Sequence, residues 1–151
     1  MSGDVINNRK ARHNYSILET IEAGIVLRGT EVKSLRNGRG NLNDAFVRIQ
    51  DGQAYLHNLD IQPYAQGNRH NHDPKASRRL LLHKSEIRKL FGSASIKGRT
   101  LVPLKMYWKR NRLKVLVGVG VGKTQTDKRE TLKAKAAKRE VDQAIKAATR
   151  R

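Results

Sequence analysis

Apolar and polar residues alternate through "DAFVRIQDGQAYLHNLDI" in two runs that meet at Asp51-Gly52. A period of two marks a half-buried strand, and Asp-Gly between two such runs is the strongest short-range hairpin signal, so the pattern predicts strands at about 45–50 and 53–61. A longer pair, "TLVPLKMYWKRNRLKVLVGVGVG", alternates about Arg110-Asn111. It sets Leu113, Val115, Val117, Val119 and Val121 on one face, with Lys114, Leu116 and three glycines on the other. This reads as a hairpin with one dry face. "NYSILETIEAGIVLRG" supplies one or two further strands, broken near Glu22-Ala23-Gly24.

Two stretches carry helical spacing instead. "GTEVKSLRNG" offers Thr30 as N-cap, with Lys33 where a capping-box acid would sit, Val32 and Leu35 on one stripe, and Gly38 as the stop. "HKSEIRKLFG" places Ile87, Leu90 and Phe91 on one stripe and Gly92 at C′. In "LLL", Leu80 to Leu82, a strand forces the middle residue to the opposite face from its neighbours, which singles out Leu81. About six antiparallel strands with short helices in a chain of 151 residues predict a mainly β protein, a six-stranded oligonucleotide-binding (OB) type barrel.

The pattern changes after the last glycine. The seven aromatic residues all lie between Tyr15 and Trp108, and the chain from Lys123 on has none. Two units follow, a barrel over residues 1–122 and a basic tail over 123–151. Asp127 with Glu130 three residues on makes a capping box, and Ala, Lys, Leu and Glu follow, but the apolar stripe Leu132, Ala136, Val141, Ile145 and Ala148 is thin. The tail is expected to be loose alone and helical when bound.

"GVGVGKTQTD" looks like a phosphate loop, yet the glycine needed five residues before the Gly-Lys-Thr is Val117. Gly118, Gly120 and Gly122 fall at the strand period. A strand face without side chains either packs closely on another backbone or lets a ligand approach the main chain.

Charge narrows the function. Thirty-two Lys and Arg against thirteen Asp and Glu give a net charge of +19, a self-repulsion best relieved beside a polyanion. Nucleic acid fits better than an anionic membrane, because the cations are spread along the chain rather than along one amphipathic helix. There is no cysteine, no apolar N-terminal core of a signal peptide and no run of eighteen apolar residues, so the expectation is a soluble cytoplasmic protein.

Chemistry finds little support. His70, His72 and Asp73 in "RHNHDP" stand beside Arg69, Lys75, Arg78 and Arg79, a poor setting for a metal cation. No nucleophile-and-base pattern is present, so neither catalysis nor a metal nor a cofactor is expected. Glu22 and Glu31 are either rim residues that accept hydrogen bonds from RNA amino groups or hold an arginine in place, or ordinary salt-bridge partners. On composition alone, a ribosomal or ribosome-assembly protein that holds folded ribosomal RNA fits as well.

The segments "NRKARHNY", "EAGIVLRGTEVKSLRNG", "NLNDAFVRIQDGQAYL", "GNRHNHDP", "RRLLLHKSEI" and "GVGVGK…DKRE", in this order, resemble the small protein B family, the SsrA-binding proteins of bacterial trans-translation, over nearly the whole chain. The resemblance implies an OB-type barrel, one copy per transfer-messenger RNA (tmRNA), bound to the transfer-RNA-like domain. The pair would enter a stalled 70S ribosome with the protein standing in for the missing anticodon arm. It assigns RNA contact or support to Asn8, Arg9, Arg12, Glu22, Lys33, Arg36, Leu81 and Lys123. To the tail residues Asp127, Lys128, Arg129, Lys133, Lys138 and Arg139 it assigns contact with small-subunit RNA at the decoding centre and the empty messenger channel. Three positions depart from the family pattern. Thr126 stands where a histidine or tyrosine is common, "GKTQ" replaces a more basic "GKK", and His70 replaces an aromatic residue.

Overall fold

The structure is a computed structural model that describes residues 3–64, 71–123 and Arg139. Within these residues the elements run β1 (Gly3–Asn7), α1 (Arg9–Asn14), β2 (Tyr15–Ile25), α2 (Gly29–Arg36), β3 (Gly40–Asn41), β4 (Phe46–Gln50) and β5 (Gln53–His57). There follow β6 (Asp60–Ile61), β7 (Arg78–Leu81), α3 (Lys84–Ala94), β8 (Arg99–Lys109) and β9 (Arg112–Gly122). All strand pairs are antiparallel. The order β8-β4-β5-β7-β2-β9 returns to β8 through the β8–β9 hairpin, so six strands close a barrel of the OB type, and β1 adds to the free part of β8.

Both hairpins close with two-residue turns whose central residues all have positive φ: Asp51 at 51° and Gly52 at 74°, then Arg110 at 51° and Asn111 at 60°. Such turns match the right-handed twist of the flanking strands. At Arg110 the left-handed conformation costs about 1–2 kcal/mol. The ladder it joins, from Lys109 opposite Arg112 to Arg99 opposite Val121, over-determines it.

The main core lies inside the barrel, where Leu56, Leu80, Leu101, Met106, Val115, Val117 and Val119 are buried with Ala23 and Ala54. A second, smaller cluster lies outside it. The register of β8 shifts between Pro103 and Lys105, so Leu101 and Met106 face inward while Val102 and Leu104 pack with Ala11 of α1 on the outer surface. Here the second face of β9 is dry as well. A Cβ at Gly118 would lie 2.9 Å from Leu104 Cδ1, and one at Gly120 would lie 2.9 Å from Tyr15 Cβ. Close packing therefore accounts for these two glycines, whereas Gly122 has nothing within 4 Å.

A buried ion pair organises the opposite end. Glu31 and Arg78 are 4% and 3% exposed. The Arg78 Nε donates to Glu31 Oε2. Its Nη1 donates to the Leu59 carbonyl at 2.5 Å, and its Nη2 reaches the carbonyls of Asp73 and Pro74 at 3.2 and 3.1 Å. Glu31 Oε1 accepts from the Arg28 amide at 2.8 Å, so Glu31 is the capping-box acid of α2. His72 completes the network. Its Nε2 donates to the Ile61 carbonyl at 2.9 Å, and its Nδ1 is hydrogen-bonded with the Thr30 hydroxyl at 2.8 Å.

Several local expectations are corrected. The N-cap of α2 is Arg28, two residues before the cap read at Thr30, because Glu31 and not Lys33 bonds the first turn. The second hairpin strand ends at His57, since Asn58 turns at φ 62° and Asp60–Ile61 pairs with β3 in a separate small sheet. β2 is continuous through Ala23 and Gly24, and its irregularity lies between Ile17 and Glu19. Gly92 does not stop α3, which runs to Ala94, and Phe91 is 58% exposed.

Two stability predictions follow from this packing. Glu31→Ala and Arg78→Ala should each cost about 3–5 kcal/mol, because each strands a buried charge, and the double variant should cost far less than their sum. Gly120→Ala should cost about 1–3 kcal/mol through overpacking on Tyr15 while Gly122→Ala leaves stability unchanged. Denaturant unfolding measures both sets, and equal effects at the two glycines would rule out the packing account.

Candidate RNA-binding surface

The residues assigned by the resemblance fall into two groups. The first surrounds the tip of the β8–β9 hairpin. Glu22 lies on the outer face of β2, opposite Leu116 of β9, and Tyr107 of β8 is paired with Lys114. The Tyr107 hydroxyl reaches over β9 and donates to Glu22 Oε2. Two inter-strand spacings separate the two backbones, about 9–10 Å, a span suited to a long rigid side chain. Lys109 Nζ sits 3.5 Å from Glu22 Oε1, and Lys114, Arg110 and Arg112 line the same hollow. The hydrogen bond from Tyr107, followed by the ammonium groups of Lys109 and Lys114, holds the Glu22 carboxyl below the usual carboxylate range against the effect of partial burial.

Leu81 and Arg36 border the adjoining groove, which shares Arg112 and Lys114 with that hollow. Leu81 is paired with Gly24 and stands over it: a Cβ on Gly24 would lie 3.2 Å from the Leu81 Cβ. The leucine is 50% exposed, while Leu80 is buried in the core, as the alternation requires. Arg36 lies over the Trp108 ring, with its guanidinium carbon 4.5 Å from the centroid, and one turn earlier Lys33 Nζ lies 5.4 Å from the Tyr64 ring. These cation–π contacts fix the two side chains along the rim formed by α2.

The second group lies at the other end of β9, about 20 Å away along the strand at ~3.3 Å per residue. Asn8 is 1% exposed and caps α1: its Oδ1 accepts from the Ala11 amide at 3.1 Å, and its Nδ2 donates to the carbonyls of Leu42 at 3.0 Å and Pro103 at 2.8 Å. It supports the surface from below and does not reach it. Arg9 and Arg12 project from the helix so anchored and are exposed. Lys123 joins the end of β9 to that helix, its amide bonded to the Asn14 carbonyl at 2.8 Å and its Nζ to the Arg12 carbonyl at 3.2 Å. A cation there also suits the negative end of the α1 dipole.

Glu31 is not a rim residue, because the Arg78 pair consumes it inside the fold. Both ring nitrogens of His72 are likewise committed to protein partners. Residues 65–70, which include Arg69 and His70, and the tail residues Asp127, Lys128, Arg129, Lys133 and Lys138 lie outside the described residues. Arg139 is helical and exposed. Sequence reading missed Tyr107, Lys109 and Lys114 as a cluster. Counting back from the Arg110-Asn111 turn would have paired Tyr107 with Lys114 and set both on the glycine-bearing face.

Known proteins resemble this chain over most of its length. An SsrA-binding protein of Enterococcus faecalis is 56% identical over 142 residues, 94% of this chain and 92% of the relative. One from Geobacillus thermodenitrificans is 54% identical over the same shares. A solved chain described under "tmRNA-SmpB: a journey to the center of the bacterial ribosome" superposes with a TM-score of 0.67 at 51% identity, covering 84% of this chain and 93% of that one. The family model described as "SmpB protein" matches residues 5–147, and the chain belongs to the SmpB protein family.

Proposed function

We propose that this protein binds SsrA RNA, the tmRNA of trans-translation, and escorts it to stalled ribosomes as a binding protein without catalytic chemistry. The observation that carries the reading is the family match over residues 5–147 in a chain of net charge +19. The hairpin-tip surface supports it. A structured RNA is recognised through its shape, its phosphates and its unstacked bases, and here cations, an exposed leucine and one carboxylate converge on a rigid sheet.

In this reading the barrel, residues 1–122, holds the transfer-RNA-like domain through Glu22, Lys33, Arg36 and Leu81, supported by Asn8. Arg9, Arg12 and Lys123 form a second contact where the tail departs. One monomer stands in for the anticodon arm that such an RNA lacks. The tail over 123–151 lies along the empty messenger channel, where Asp127, Lys128, Arg129, Lys133, Lys138 and Arg139 meet small-subunit RNA. Thr126 contributes no stacking there, since threonine has no π-face. The reading places the protein in the cytoplasm, and no described helix is long and apolar enough to cross a membrane.

At about 150 mM salt, where unspecific phosphate contacts are weakened, the tRNA-like domain of tmRNA should resist excess transfer RNA and ribosomal RNA fragments. Equal competition by all three would leave only charge and favour a ribosomal RNA-holding protein. Glu22→Ala with Leu81→Ala should weaken that binding at least tenfold with the melting temperature nearly unchanged, because neither side chain is in the core. Deletion from Asp127 onward should leave RNA affinity nearly intact and abolish tag addition on stalled ribosomes in a reconstituted translation assay. Loss of both activities together would show that barrel and tail do not divide the work.

A further inference from the structure

The hairpin-tip hollow holds a feature that phosphate binding alone does not explain. Lys109, Arg110, Arg112 and Lys114 suit an RNA backbone, yet Glu22 sits among them with 34% of its side chain exposed. A carboxylate repels phosphate. Its ion pair with Lys109, at 3.5 Å and with the lysine 52% exposed, is of the surface kind that contributes little. That is a weak reason to keep an acid in a cationic site.

The donor and acceptor inventory gives a better one. An ionised carboxylate accepts at about four lone-pair sites, of which the Tyr107 hydroxyl takes one on Oε2 and Lys109 loosely addresses Oε1. The carboxylate is thereby held in one orientation, as an acceptor fork with sites left over. Among the four RNA bases only guanine presents two adjacent donors, N1–H and N2–H, on its Watson–Crick edge. Adenine and cytosine offer one amino group there, and uracil one N–H. Unpaired bases splayed from RNA loops are read on this edge.

Resting on the proposed RNA-binding function, we propose that Tyr107 is a positioning residue that presents Glu22 as the acceptor for an unpaired guanine of the bound RNA, while the surrounding cations hold the phosphates beside it. The pair thus supplies base discrimination within a surface whose affinity is otherwise electrostatic. Tyr107 serves because a rigid side chain carrying a donor spans the strand between, and its ring is in turn covered by Lys105 Nζ at 5.3 Å. The lowered Glu22 pKa agrees with this role, as the acceptor stays ionised throughout the neutral range.

The test uses the full-length protein and the tRNA-like domain of tmRNA. Tyr107→Phe should weaken binding about tenfold, the scale of one hydrogen bond to a charged group, and should cost less than twofold when introduced into Glu22→Ala. Inosine replaced sparsely for guanine, which removes N2–H, should interfere with wild-type binding at one position. That interference should vanish with Glu22→Ala. The side-chain carboxyl NMR signal of Glu22, which faces Tyr107 and Lys109 of β8, Arg110 of the turn and Arg112 and Lys114 of β9, should titrate at higher pH in Tyr107→Phe. A full effect of Tyr107→Phe in the Glu22→Ala background, an unmoved titration, or inosine interference indifferent to Glu22 would each overturn the proposal. If Glu22→Ala itself left RNA affinity unchanged, the proposed binding surface would fail as well.

Discussion

The buried Arg78–Glu31 pair is the constraint on which the open end of the barrel depends. One guanidinium bonds the first turn of α2, the carbonyl of Leu59 after β5, and the carbonyls of Asp73 and Pro74 before β7. Two connections of irregular backbone and one helix turn thus converge on a single planar donor. Lysine could not replace it, since a point charge lacks the fork that addresses carboxylate and carbonyls together. Through α2 the same pair sets the height at which Arg36 meets Trp108 and Lys33 meets Tyr64, so a charge hidden in the fold positions charges offered outside it.

Two glutamates nine residues apart therefore do opposite work, and depth decides which. Glu31 is sealed inside the protein with both carboxylate oxygens bonded, where its value is structural. Glu22 lies on an open sheet face with its principal partner a neutral hydroxyl, which orients the carboxylate without neutralising it. In a chain of net charge +19, an acid paired only at the surface is better understood as selective than as stabilising, because exposed ion pairs contribute so little.

Local signals were legible where a single element satisfied them. The Asp51-Gly52 turn, the Arg110-Asn111 turn, the inward valine row of β9 and the outward Leu81 all follow from period-two alternation, and each is as the pattern predicts. What stayed hidden was set by distant partners. Glu31 meets Arg78 across 47 positions, and no local pattern announces that. α1 has six residues and only Ala11 buried, too short for a stripe to register. β2 reads as broken because Gly24 is a weak strand former, yet Gly24 is where Leu81 must approach, and pairing to both β7 and β9 holds the strand straight through it. The site shows the same division: the residues themselves singled out Glu22 and Leu81 and the resemblance added their RNA role, but Tyr107 entered only through the register.

That register also explains how one strand carries two surfaces. Along the outer face of β9 the side chains shrink from Lys114 and Leu116 to Gly118 and Gly120. Where they vanish, α1 and Tyr15 close over the sheet and the face becomes interior; where they are long and cationic, the face stays open to a polyanion. The boundary falls at Leu116, the residue opposite Glu22. Had the glycines extended one pair further toward the turn, the helix side of the barrel would be free to cover the hollow. Instead, side-chain size along a single strand fixes the edge of the exposed face, and Glu22 lies at its border.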